Sequence, residues 1–223
     1  MKDKQKIIII SDDYYYLHGI SYLMKGNNIF DPICVHFDSA LNSSFLRKIF
    51  KDHSPENSVI FLALDSYHIV KYIPEFDRRT VVCSLRCSQE NHDPFSFYGV
   101  LFVNRHIDGT YLIKLLNKIS KGNIVRDIFF SKNEECVIFN YFNCSSKSYI
   151  QALLNVDEKR VSYHKRTVYE KIMVNSDSCA FHIIKAINYV YSALLKCQPG
   201  RRHFITTQHN TLENMVNVER LYK

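Results

Sequence analysis

Glycine is scarce in this sequence, with six residues among 223, and the chain carries no glycine-rich phosphate loop, no G-x-S-x-G elbow and no metal-binding motif. With those signatures missing, the chain is read as a non-enzyme with no cofactor. Long apolar runs are missing too. A membrane helix needs roughly 18 or more apolar residues in a row, and Ile7-Ile8-Ile9-Ile10 is too short even for the core of a signal peptide. A cytoplasmic protein with no membrane partner is therefore expected. The seven cysteines, Cys34, Cys83, Cys87, Cys136, Cys144, Cys179 and Cys197, are odd in number and form no C-x-x-C pair, so they read as reduced thiols. The closest two, Cys83 and Cys87, have only His92 nearby, and no metal site is expected.

What is present is 46% hydrophobic residues, ample for real cores, and an uneven charge. Residues 1–125 carry 15 Lys+Arg against 13 Asp+Glu, while residues 126–223 carry 14 against 9. The basic excess of the second part favours a polyanionic partner through phosphate contacts and counterion release, although many basic surfaces are simply solvated faces.

Five β-rich runs of strand length lie in the first part: Lys6 to Ile10, Ile33 to Phe37, Val59 to Leu64, Thr80 to Leu85 and Tyr98 to Val103. Several are apolar without alternation, as in a parallel sheet covered on both faces. Between them Tyr16, Ile20 and Leu23, then Leu41, Phe45, Leu46 and Ile49, then Tyr111, Leu112, Leu115, Leu116 and Ile119 fall at helical spacing. This alternation predicts an α/β domain with a doubly wound five-stranded parallel sheet over residues 1–122. The polar segment Arg86 to Phe97, with Pro94, is expected to hold a short helix. Lys121-Gly122 closes the last of these helices, a linker is expected at 123–130, and residues 131–198 show only helical periods, an all-α unit of four helices. After Pro199-Gly200 comes a polar tail, 199–223, with Leu212, Met215, Val216 and Leu221 as apolar anchors. Asn210 with Glu213 three residues on could start a short helix there, and disorder fits the tail equally well.

Within the helical unit, Ile150, Leu153 and Leu154 give one short helix an apolar face, Asn155 stands where the chain must turn, and Asp157 can cap the next helix. In that second helix Val161, His164, Val168 and Ile172 recur at three, four and four residues and form an inward stripe. The outer face shows Lys159, Ser162, Tyr163 and Arg166, flanked by Arg160, Lys165 and Lys171. Such a helix can enter the major groove of DNA, where Arg reads guanine and basic neighbours hold phosphates. On spacing alone an ordinary helical hairpin with a solvated charged face is the favoured reading.

The same stretch resembles the LuxR-type helix-turn-helix. The I-A-E-x-L-G-I-S core of that family is matched by Ile150, Gln151, Ala152, Leu154, Asn155, Val156 and Asp157. The following E-K-T-V-x-x-H-R-x-x-I-x-x-K-L is matched by Glu158, Lys159, Arg160, Val161, His164, Lys165, Val168, Lys171 and Ile172. Phe130-Ser131-Lys132-Asn133-Glu134 stands where the family opens with L-T-x-R-E, and Ser178 to Lys196 fits its closing, dimer-side helix. Gln151 replaces a small residue, Asn155 a glycine and Arg160 a threonine. The resemblance implies double-stranded DNA as partner, with Ser162, Tyr163 and Arg166 towards base edges and Lys159, Arg160, Lys165 and Lys171 on phosphates; His164 would be a half-buried residue touching a phosphate.

An α/β domain ahead of such a module resembles a response-regulator receiver. That chemistry uses an acidic pair after the first strand, an aspartate after the third, a hydroxyl after the fourth and a lysine after the fifth. Asp12, Asp13, Asp65 and Ser84 fill four of these places; the lysine is absent, and Arg105 is no equivalent point charge. Asp12, Asp13 and Asp65, a vestigial phosphorylation site on this resemblance, also fit the plainer role of strand-end polar residues that cap helices. The expectation is a transcription regulator, phosphorylation-independent and controlled by homo- or heterodimerisation, to whose pairing surface Tyr14-Tyr15-Tyr16 could contribute, with one or two of these rings expected in the core. The layout resembles that of atypical LuxR-type regulators of enteric bacteria. The alternative is a co-regulator that pairs with another transcription factor and binds little DNA itself.

Overall fold

The computed structural model describes residues 4–27, 29–38, 43–65, 67–87, 93–121, 125–143 and 145–197. The expected tail at 199–223 therefore lies outside the described residues, as do Gly122 and Asn123 of the expected domain junction. In chain order the elements are β1 (Gln5–Ser11), α1 (Tyr14–Gly26), β2 (Phe30–His36), α2 (Ser43–Lys51), β3 (Ser58–Ala63), β4 (Thr80–Leu85), β5 (Phe95–Phe97), β6 (Val100–Asn104) and α3 (Gly109–Ser120). Four further helices follow: α4 (Lys132–Phe142), α5 (Lys147–Leu154), α6 (Glu158–Lys171) and α7 (Asp177–Cys197).

The sheet runs in the order β2-β1-β3-β4-β6-β5. Five strands pair in parallel, as the apolar runs predict, and β5 pairs antiparallel with β6. Ile7, Ile8, Ile9 and Ile10 are all fully buried, which only a strand covered on both faces permits. On one face Ile7, Ile9, Phe61 and Val103 meet Leu17 and Met24 of α1 and Leu112 and Leu116 of α3. On the other, Ile8, Ile60, Leu62 and Val81 meet Leu46 and Phe50 of α2.

Two features depart from the expected layout. The first is β5, where a short helix is expected. Tyr98 and Gly99 take left-handed φ values of 49° and 80°, the pair of positive φ angles that a two-residue hairpin turn with the right twist requires. Tyr98 is an unusual residue for that conformation, and its ring lies against Phe97, Phe129 and Tyr191. The sixth strand is thus set by a turn whose first residue carries no sequence signal for one.

The second departure is the cover of the sheet beyond β3. Tyr67–Tyr72 and Phe76–Arg78 form only short 3-10 turns, too small to cover the apolar surface of β3 and β4. Helix α7 supplies the cover. Its Ile183, Ile184, Ile187 and Val190 belong to the same buried cluster as Ile69, Val70, Phe76 and Val81. The change from α/β to all-α pattern near residue 125 is therefore a change of secondary structure within one continuous core. The connection is itself tied down: Ser96 N–H donates to Arg126 O at 2.7 Å and Ile128 N–H to Ser96 O at 2.8 Å, so the segment lies along β5 and closes that edge of the sheet.

Candidate nucleic-acid interface

Local chemistry builds the helix-turn-helix from its ends inward. Ser146 Oγ accepts from Tyr149 N–H at 3.2 Å to start α5. The helix ends at Asn155, which sits at φ 52°, ψ 50°, as its expected turning role requires. Asp157 then caps α6 by accepting from Arg160 N–H at 2.7 Å, and Glu158 places negative charge at the positive end of the helix dipole. Upstream, Ser131 and Glu134 form a reciprocal capping box at the start of α4.

The inward stripe of α6 is buried at every position: Val161, His164, Val168 and Ile172. Ile150 of α5 meets Val137 of α4 and Val161 of α6 in a small separate cluster. Leu153, expected on the inner face of α5, is instead exposed: Ile150 and Leu154, about one turn apart, pack in this cluster, and Leu153 stands about 100° round the helix from Leu154. His164 is 7% exposed and its Nε2 is buried, so it lines the core and is withdrawn from any phosphate, contrary to its expected half-buried place.

The outer face separates the seven expected contact residues into two groups. Lys159, Arg160, Ser162, Tyr163 and Arg166 are exposed along one side of α6. The Arg160 guanidinium lies 5.6 Å from the centre of the Tyr163 ring, within cation–π range. Lys165 and Lys171 are occupied internally. Lys165 Nζ sits 2.8 Å from Asp177 Oδ2 and 4.0 Å from the centre of the Tyr141 ring, and the Tyr141 and Tyr169 hydroxyls both donate to the same Asp177 carboxylate at 2.8 Å. Hydrogen bonding from Lys165 holds the Asp177 carboxyl below the usual range. Lys171 Nζ is 2.7 Å from Glu134 Oε2 and donates to Phe129 O at 2.9 Å. Burial by itself would raise the Glu134 carboxyl, but the bonds from Lys171 and Ser131 hold it low. These two lysines bind the helical unit together and to the connection from β6 and α3.

At the C-terminal edge of the sheet, Asp12, Asp13 and Asp65 do converge. Asp13 caps α1 by accepting from Tyr16 N–H at 3.0 Å, and Asp12 Oδ2 accepts from Asp65 N–H at 2.7 Å. Two guanidiniums close the group: Arg86 lies 3.2 Å from Asp65 and 3.6 Å from Asp13, and Arg105 lies 3.4 Å from Asp65. The Arg105 side chain is 5% exposed and stands over the Tyr16 ring. Ser84 Oγ is hydrogen-bonded to Tyr16 Oη at 2.9 Å. Arg86 joins the group from just past the end of β4, two residues after the expected hydroxyl of Ser84, and that position is its one signal in the sequence. Of the tyrosine triplet, Tyr14 and Tyr15 are exposed and Tyr16 turns inward.

Among the described residues no helix is long and apolar enough to cross a membrane. No protein-family model matches the sequence, and no curated protein is significantly similar to it. The fold has clear counterparts among solved structures. A complex of the two-component response regulator RcsB with DNA aligns at a TM-score of 0.51 and 17% identity, covering 83% of this chain and 100% of that one. RcsB from Salmonella enterica serovar Typhimurium, bound to a promoter in the presence of a phosphomimetic, aligns at a TM-score of 0.51 and 16% identity with the same coverage. The chain thus shares the fold of these RcsB structures.

Proposed function

We propose that this protein is a transcription regulator that binds duplex DNA through the exposed side of α6. The observation that carries the reading is the placement of Lys159, Arg160, Ser162, Tyr163 and Arg166 on one exposed side of a capped helix whose opposite side is buried. Ser162, Tyr163 and Arg166 meet base edges, and Lys159 and Arg160 hold phosphates. RcsB, which has the same fold, is bound to DNA in its solved complexes.

The regulator works without phosphorylation. A receiver aspartate accepts phosphate with a divalent cation held by its acidic neighbours, and here the charges of Asp13 and Asp65 are already met by Arg86 and Arg105. No lysine follows β6; the residue there is Arg105. Control rests on pairing with itself or with another regulator, for which the exposed Tyr15 and Tyr22 of α1 provide an aromatic surface.

The experiment is selection of bound genomic fragments, followed by fluorescence anisotropy on the selected duplex with Arg166→Ala alongside. The expected result is a specific site, affinity that falls steeply with salt, and a loss of roughly 10- to 100-fold on Arg166→Ala. Duplex binding that is absent, or indifferent to Arg166, overturns the assignment in favour of a protein-pairing role. Incubation with a small-molecule phosphoryl donor addresses the second part: stable phosphate on Asp65 that changes duplex affinity would defeat phosphorylation independence.

A further inference from the structure

Helices α4 and α7 flank a groove of about 310 Å³ on the outer surface of the helical unit. Phe142, Phe181, Ile184 and Tyr189 line it together with Lys185 and Asn188. Phe181 is 38% exposed and its ring stands 5.8 Å from that of Phe142, so the lining is aromatic and open. The Lys185 ammonium lies 5.6 Å from the centre of the Phe181 ring, which sets a positive charge beside the apolar surface.

The sequence beyond α7 has matching chemistry. The sequence there carries Pro199-Gly200, residue types that do not favour continuing a helix, and Leu212, Met215, Val216 and Glu219 recur at i, i+3, i+4 and i+7, a helical spacing with apolar residues first and a carboxylate last. We propose that the groove between α4 and α7 is the docking site for the C-terminal segment of this chain. Leu212, Met215 and Val216 sit on the aromatic lining and Glu219 lies beside Lys185.

Reach and chemistry both support this occupant. Ile184 and Asn188 lie 13 and 9 residues before Cys197, about 20 and 14 Å back along the helix at 1.5 Å per residue. The 14 residues from Gln198 to Thr211 span up to about 46 Å when extended, so the chain can reverse and return with slack. A methionine thioether adapts to irregular aromatic surfaces and interacts favourably with ring edges. Tethering raises the effective concentration of the segment to the order of millimolar, so an interaction too weak to hold a separate partner is populated within one chain.

The test uses the full-length protein with the photoreactive residue p-benzoylphenylalanine in place of Asn188, irradiated and mapped by mass spectrometry. The expected product is a linkage within one chain to a peptide containing Leu212 to Val216. The same protein carrying Leu212→Asp and Met215→Asp should lose that linkage at least five-fold, and Glu219→Lys should lower it by a smaller factor. Circular dichroism on each variant confirms that α1 to α7 are retained. A linkage only to a second copy, no linkage to residues 205–223, or a yield unchanged by the double substitution each overturns the proposal.

Discussion

Lys159 and Lys171 lie on the same helix, carry the same charge and have opposite surroundings. Lys171 bridges the nearly buried Glu134 carboxylate and a backbone carbonyl, whereas Lys159 is exposed. Removing one partner of a largely buried pair leaves the other unpaired. Lys171→Ala is expected to cost about 1–3 kcal/mol of stability, read from the urea midpoint. Lys159→Ala should leave that midpoint in place and lower the salt slope of duplex binding by about 1. Equal midpoints for the two variants would show that both lysines are merely solvated. Both were expected on phosphates from the resemblance, and periodicity could not separate them, because ion pairing depends on a carboxylate 37 residues away.

Glu135 gives a pH dependence of known sign. Partial burial, with the neighbouring Glu134 charge, pushes its carboxyl up from 4.5 to about 7. A group that holds its proton more tightly when folded stabilises the fold fully below its unfolded pKa. That contribution is lost as pH rises through the folded one. From this residue, stability should fall between about pH 4.5 and 7. Allowing for its solvent exposure, the change is on the order of 1 kcal/mol. Glu135→Gln should flatten the fall in unfolding midpoint across that range, and a pH profile identical to the parent would refute the assignment.

At the scale of elements, α7 has the largest structural duty. In the resemblance it is a closing, dimer-side helix, yet here Ile183, Ile184, Ile187 and Val190 are buried in the core shared with β3 and β4. Ile187→Ala should cost about 2–5 kcal/mol, the range for a large-to-small change in a packed core, measured by chemical denaturation. A loss below 1 kcal/mol would mean that α7 is only loosely seated. The helix-turn-helix itself was legible from local signals: Asn155 at the turn, Asp157 as cap and the Val161, Val168, Ile172 stripe occupy their expected places. Strand β5 was not legible, because Tyr98 holds a left-handed conformation stabilised by rings far along the chain.

For the whole molecule, the common core predicts that the sheet and the helix-turn-helix unfold together. Fluorescence labels on Tyr22 and Tyr163 positions, far from the shared core, should report one coincident transition in urea. Two separated midpoints would show that the helical unit unfolds as an independent domain.

The sequence alone determined whatever depends on neighbours a few residues apart. Parallel strands announced themselves by unbroken apolar runs, α6 by its stripe and caps, and the lack of a phosphate-signalling lysine by simple inspection. Tertiary structure decided everything that depends on which distant groups meet. It paired Lys165 with Asp177 and Lys171 with Glu134, and closed the acidic group with Arg86 and Arg105. It also laid α7 on the sheet. Capping and periodicity act within a turn or two of chain, whereas burial and charge pairing act through space, and only the folded molecule brings those partners within range.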